Sequence, residues 1–187
     1  MATTIATTKL WTVADLEREG PPEGRWELID GELVEMSPSG RASAKLATWI
    51  AHLLLGFVAP RGLGEVYGAD GGFVLFPDRP LVRVPDVAFV RAERLVDQDE
   101  YGFLHLAPDL AVEVRSPTDR TPDVLAKIEM YREAGVPLVW LVDPDARTVG
   151  VSGGGQNGRV LQGGDWLDGG DVLPGLWIDL AELFRPL

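Results

Sequence analysis

With 187 residues, 45% of them apolar and 25% charged, the chain has the length and composition of one soluble globular domain with a substantial core. It has no cysteine, which excludes disulfides and thiolate metal sites, and no apolar run near the roughly 20 residues that a bilayer span needs. A net charge of −12 opposes the basic footprint of a nucleic-acid binder, because phosphate neutralisation supplies most non-specific affinity.

Residues 1–9 are rich in Thr and Ala and lack the charged-then-apolar pattern of a secretory signal. They read as a mobile tail before a single domain over residues 10–187. With the missing cysteines, this fits a cytoplasmic protein. Residues 11–19 read as a short helix capped by Thr12, and Gly20-Pro21-Pro22 breaks the chain. Two alternating runs, 25–29 and 32–36, flank Asp30-Gly31, which signals a type I′ hairpin. From Ser43 to Val58, Leu46, Trp49, Ile50, Leu53, Leu54 and Phe57 recur at helical spacing, ahead of Pro60 and Gly62.

Residues 65–68 and 72–76 read as short strands, and a further strand runs from Leu81 or Pro85 to Val90. Residues 91–108 read as a surface connection carrying one helical turn. A strand over 110–114 is followed by a helix with Thr121 as its cap and Pro122 in first place, stopped by Gly135. Residues 138–142 are apolar throughout, as in a central strand, so strand, helix and strand imply a right-handed βαβ crossover. Short strands over 149–151, 160–162 and 166–172 close the chain. Their glycine punctuation leaves edges on which two copies could pair as a homodimer. The glycine run at 153–158 lacks the strand-loop-helix setting and the lysine of a phosphate loop. The expected class is α/β, with a mixed sheet.

Three residues stand out chemically. Asp86 opens the run Pro85-Asp86-Val87-Ala88-Phe89-Val90, Glu113 lies inside Asp109-Leu110-Ala111-Val112-Glu113-Val114, and Lys127 follows one helix later. A carboxylate in an apolar strand is costly to bury unless something neutralises it. Two such acids with an ammonium nearby suit Mg²⁺, or Mn²⁺ in its place, with a phosphate in front. Each acid would give one oxygen, the Val114 carbonyl a third, and water the remainder. Lys127 flanks the stripe of Val124, Ile128 and Tyr131, from which it could orient the attacking water. Bland readings compete: a solvent-facing glutamate, a Pro-Asp turn, and a lysine covering apolar surface with its stem.

The order and spacing of several fragments carry a resemblance. They are Trp26-Glu27-Leu28-Ile29-Asp30-Gly31-Glu32-Leu33, Gly71-Gly72-Phe73, and Val82-Arg83-Val84-Pro85-Asp86-Val87-Ala88-Phe89-Val90. Pro108-Asp109-Leu110-Ala111-Val112-Glu113-Val114-Arg115-Ser116-Pro117 follows, then Asp119, Asp123, Lys127, Tyr131, Gly135-Val136, Trp140-Leu141-Val142-Asp143-Pro144 and Leu173-Pro174-Gly175. From Thr12 to Phe184 the chain resembles the Uma-two family, restriction-endonuclease-like proteins of the PD-(D/E)XK nuclease superfamily.

That resemblance implies a restriction-endonuclease-like core with an N-terminal hairpin and a C-terminal β extension. It makes Asp86 the motif aspartate and Glu113 the motif acid. Arg115 stands where the superfamily's common pattern has lysine, and arginine cannot give up its proton. In this family the lysine has moved to the following helix, which matches Lys127. Glu32 matches the additional N-terminal acid, a metal ligand directly or through water, with Glu27 as second candidate. Ser43 stands near the family's usual histidine, and His52 reads as a surface residue. The implied function is a Mg²⁺-dependent endonuclease acting on DNA ahead of RNA. The competing reading is a catalytically silent interaction module on the same fold; a two-carboxylate glycosidase would leave Lys127 without a task.

Overall fold

A computed structural model of the chain describes residues 3–4, 9–98, 101–153 and 158–187. Strand β1 (Thr3–Thr4) pairs with the strand ending at Glu35, while positions 1–2 and 5–8 of the expected tail lie outside the described residues, as do residues 154–157 of the glycine run. Helix α1 (Val13–Glu19) starts at Thr12 as expected. The Thr12 side chain accepts the Asp15 N–H while the Asp15 carboxylate accepts the Thr12 N–H, a reciprocal capping box. Strands β2 (Trp26–Ile29) and β3 (Glu32–Glu35) turn through Asp30 and Gly31 at φ 49 and 88, the two positive angles that a type I′ turn demands.

Helix α2 (Arg41–Val58) begins two residues before Ser43 and runs into a 3₁₀ turn over Ala59–Arg61. Its buried line is Leu46, Ile50, Leu54 and Val58. By length and composition Arg41–Arg61 reaches the threshold for crossing a membrane, with a mean hydropathy of 1.4, although the sequence shows no unbroken apolar run. Here its apolar line packs on the larger sheet.

Strands β4 (Gly64–Gly68), β5 (Phe73–Val74), β6 (Val82–Arg83) and β7 (Val87–Arg91) follow. Of the two starts expected for the strand ending at Val90, Pro85 is near that of β7, whereas Val82–Arg83 forms a separate strand in the other sheet. Pro85 has no N–H for a ladder, and the chain crosses from one sheet to the other at Val84-Pro85-Asp86. The 91–108 connection carries its 3₁₀ turn at Ala92–Arg94 but is not wholly superficial, since Leu104 is buried and bridges to Phe73.

Strand β8 (Leu110–Val114), helix α3 (Thr121–Glu133) and strand β9 (Leu138–Asp143) form the expected crossover, with β8 and β9 adjacent and parallel. The α3 cap is Arg120 rather than Thr121, whose hydroxyl instead accepts from Arg115. The tail comprises β10 (Thr148–Gly153), β11 (Arg159–Gln162), β12 (Trp166–Gly169), β13 (Leu173–Asp179) and α4 (Leu180–Leu183). The strand expected over 166–172 stops at Gly169, where a bulge shifts the register against β13. A Cβ on Gly169 would lie 2.4 Å from the Leu173 carbonyl oxygen, so only glycine lets the two backbones meet there.

The result is a mixed α/β fold, as expected. One sheet runs β1-β3-β2-β6-β5, a larger one β11-β10-β9-β8-β7-β4, and β12-β13 form a third. Helix α2 and the C-terminal strands cover one face of the larger sheet, over Phe89, Val112 and Trp140. Tyr131 of α3 packs on the other face with Ala88, Ala111 and Val139, beside Phe73 and Leu81 of the smaller sheet's end of the molecule. Strand alternation puts Glu113 on this second face, with Ala111.

Candidate active site

Glu113 lies one residue from the end of β8, facing α3. On that helix Lys127 and Tyr131 are four residues apart and share a face. Lys127 Nζ is 2.9 Å from Glu113 Oε1, and the Tyr131 hydroxyl donates to the same oxygen at 2.7 Å. Lys127 Nζ is also 3.0 Å from Glu27 Oε1, which accepts the Val84 N–H at 3.1 Å. The other Glu27 oxygen takes Arg83 Nη1 at 2.6 Å, a pair that joins neighbouring strands β2 and β6. Asp86, at the crossing between sheets, accepts the Val114 N–H at 2.7 Å and so ties the start of β7 to the end of β8.

The acids fall into two electrostatic classes. Burial above all raises the Glu113 carboxyl from 4.5 to about 7; the Asp86 and Glu27 charges add to this, and Lys127 only partly opposes them. Burial also raises Asp86, assisted by Asp119, against the Val114 N–H, Lys127 and Arg25. Glu27 goes the other way. Burial still acts to raise it, but Lys127, Arg83 and the Val84 N–H together hold it below the usual carboxylate range. Lys127 is desolvated, yet Glu113 and Glu27 raise it above an ordinary lysine. Its ammonium is therefore a fixed positive charge.

The donor set fits a divalent cation. Asp86 and Glu113 are the two under-compensated acids, and the hydrogen bonds described leave Asp86 Oδ1 and Glu113 Oε2 open as acceptors. Among the described residues no group of three or more His, Cys, Asp or Glu converges in ligating geometry. Two carboxylate oxygens and water match the preference of Mg²⁺ for keeping much of its water shell.

Asp86, Glu113 and Lys127 are thus brought together. Glu32 is exposed at the turn end of the hairpin, opposite Ile29, and makes none of the ion pairs or hydrogen bonds described. Glu27, the second candidate, occupies the cluster instead. Sequence reading missed its partner Arg83, although Leu81-Val82-Arg83-Val84 carries the same signal, a charge inside an apolar run. It also counted Tyr131 only as part of the apolar stripe. Arg115 turns to Asp143 and Thr121, each at 3.0 Å, rather than to the acids. Ser43 is buried and donates to the Arg115 carbonyl at 2.9 Å, fastening α2 to the end of β8. His52 is exposed and stacks on Trp49.

Two cavities bear on access. The larger, about 430 Å³, is lined by residues such as Glu17, Tyr67 and Phe103 and by none of the clustered acids. The smaller, about 230 Å³, is lined by Arg115, Ser116, Pro117 and Asp143 where β8 and β9 end. None of the clustered acids lines the smaller one either, although it lies at the carboxyl ends of the parallel strands, the usual ligand position in such sheets.

Tyr131→Phe isolates one contact. The ring stays in its fully buried place and the Glu113 oxygen loses a donor. The expected cost is about 1.5–3 kcal/mol, as for hydrogen bonds to charged groups, measured by urea denaturation at pH 8. A change below half a kcal/mol would mean that the hydroxyl bond carries no net stability.

A family model, "Uma2: Putative restriction endonuclease", matches residues 13–181. Among solved structures, a protein described as "a putative nuclease belonging to DUF820" from Anabaena variabilis ATCC 29413 is similar with a TM-score of 0.76. The likeness covers 94% of this chain and 98% of that one at 22% sequence identity, a likeness of fold. No curated protein matches the chain.

Proposed function

The chain belongs to the Uma2 family, whose description is "Putative restriction endonuclease", and from that premise we propose that it is a metal-dependent nuclease hydrolysing phosphodiester bonds, in DNA ahead of RNA. The observation that carries this reading is the Lys127 ammonium 2.9 Å from Glu113, with Asp86 bonded to the next residue, Val114. Asp86 and Glu113 would hold Mg²⁺, for which Mn²⁺ can substitute, with the Val114 carbonyl; Glu32 would reach it only through water. Such a cation supplies Lewis-acid polarisation of the phosphoryl oxygen and a more acidic water.

The protein's own groups do the rest. An ammonium has three donors, and Glu113 and Glu27 take two from Lys127, so one is left to orient the attacking water or a non-bridging oxygen. Being held protonated, Lys127 balances charge at the pentavalent phosphorus and does not serve as the base. A cytoplasmic setting and pairing of two copies belong to the same proposal. For the latter, β11 is the outermost strand of the larger sheet and Val160 on it is exposed.

One observation favours the silent interaction module. Arg79, Arg83 and Arg94, in the densest basic stretch, pair with Asp30, Glu27 and Asp109, and Arg91 also lies near Asp109. These arginines therefore bring little free positive charge to a chain of net charge −12. Mn²⁺ titration calorimetry on the wild type and on the Asp86→Ala, Glu113→Ala double variant separates the readings. Binding that vanishes in the variant supports the nuclease, and DNA and RNA substrates are then screened. No binding to the wild type, with or without a short duplex, supports the module.

A further inference from the structure

The buried Glu27–Arg83 pair has no task in the reaction as proposed. Its two side chains are 7% and 8% exposed and come from neighbouring strands of the smaller sheet. Burying two charges is expensive, and a hydrophobic pair of the same volume would often do as well. What this pair adds is a fixed anion beneath α3. Arg83 Nη1 and the Val84 N–H take hold of Glu27, and Arg83 Nε also lies 3.2 Å from Met130 Sδ on α3. Oε1 of Glu27 lies 3.0 Å from Lys127 Nζ, so the ammonium is shared between Glu27 of the smaller sheet and Glu113 of the larger one.

A lysine side chain is long and rotamer-rich, so one carboxylate contact leaves its ammonium free to swing. Two anchors from different sheets confine it. Each Glu27 oxygen is already engaged by N–H donors, which sets Glu27 apart from Asp86 and Glu113, each with one open oxygen. We infer that Glu27, held by Arg83, is a positioning residue that fixes the Lys127 ammonium beside Glu113, and is not a ligand of the cation. This rests on the nuclease reading of the site.

Glu27→Gln tests it, with Glu27→Gln/Arg83→Met as the companion that leaves no orphaned guanidinium should the single variant fold poorly. A displaced lysine should lower kcat roughly 100-fold, the scale of a 1 Å misplacement, while KM and the Mn²⁺ dissociation constant stay within about threefold. The second readout is the ¹⁵N–¹H signal of the Lys127 ammonium, assigned by its absence in Lys127→Arg. It should be visible in the wild type, where exchange is slowed by burial, and lost in both Glu27 variants. A Mn²⁺ dissociation constant raised tenfold or more would make Glu27 a ligand and overturn the inference. An unchanged kcat with an unchanged ammonium signal would overturn it too, leaving a purely structural pair. Should the wild type cleave nothing, the nuclease reading falls, and the ammonium signal still decides whether Glu27 holds Lys127.

Discussion

Glu113→Gln should move activity and stability in opposite directions. Cleavage falls by about three orders of magnitude, since losing several kcal/mol of charge stabilisation costs tenfold per 1.4 kcal/mol. The fold, by contrast, is at least as stable as the wild type at pH 8 without added metal. Glutamine keeps the volume and an oxygen for the Tyr131 hydroxyl, and Lys127 keeps Glu27. The charge it removes is an unfavourable one. Folding raises the Glu113 pKa from 4.5 to about 7, chiefly through burial and then through Asp86 and Glu27.

The sign follows from proton uptake. Between these two values the folded state holds the proton more tightly than the unfolded chain does. The stabilising contribution is complete below pH 4.5 and is lost as pH rises through 7, on the order of 3 kcal/mol for the whole shift. Wild-type stability should therefore carry a downward slope over that window which the glutamine variant lacks. Urea denaturation at pH 5 and pH 8, alongside a cleavage assay, measures both arms. A variant that is less stable at pH 8 and still active would sink the assignment of Glu113.

The same residue shows why parts of the site were legible in the sequence. A glutamate inside Leu110-Ala111-Val112-Glu113-Val114 is conspicuous because its neighbours are apolar on both faces. Thr12, Asp30-Gly31 and the α2 stripe were legible for a related reason: capping, turn chemistry and helical period are local. The misses are tertiary. The sequence leaves the strand ending at Val90 with a start at Leu81 or at Pro85, and only the docking of β6 on β2 and of β7 on β8 decides for two strands. Strand β13 is disguised by Pro174 and Gly175, and its pairing depends on the close approach at Gly169. Glu27 and Glu32 share one face of the hairpin by register, so alternation cannot choose between them. The choice is made by β6, which pairs at Leu28 and brings Arg83 to Glu27, while Glu32 stays at the turn.

Lys127→Met should be the most destabilising single change in the cluster. At pH 8 it leaves Glu27 and Glu113 buried without the cation they share, and removing one partner of a buried pair costs about 3–5 kcal/mol. Methionine fills much of the lysine stem's volume, so the loss is electrostatic rather than a cavity. Cleavage should fall with it, by roughly 100-fold or more, as when a donor aimed at developing charge is removed. The electrostatic origin has its own signature in pH. Lys127 is the main influence pulling the Glu113 pKa down, so without it Glu113 titrates higher still and is neutral at pH 5. Glu27 keeps Arg83 and the Val84 N–H. The deficit against wild type should therefore shrink markedly between pH 8 and pH 5, as Glu113 takes up its proton and ceases to oppose Glu27 and Asp86. Chemical denaturation of both proteins at the two pH values decides it. An equal deficit at both would assign the loss to packing, and the ammonium would then no longer be the charge that makes two buried acids tolerable in the metal-free fold.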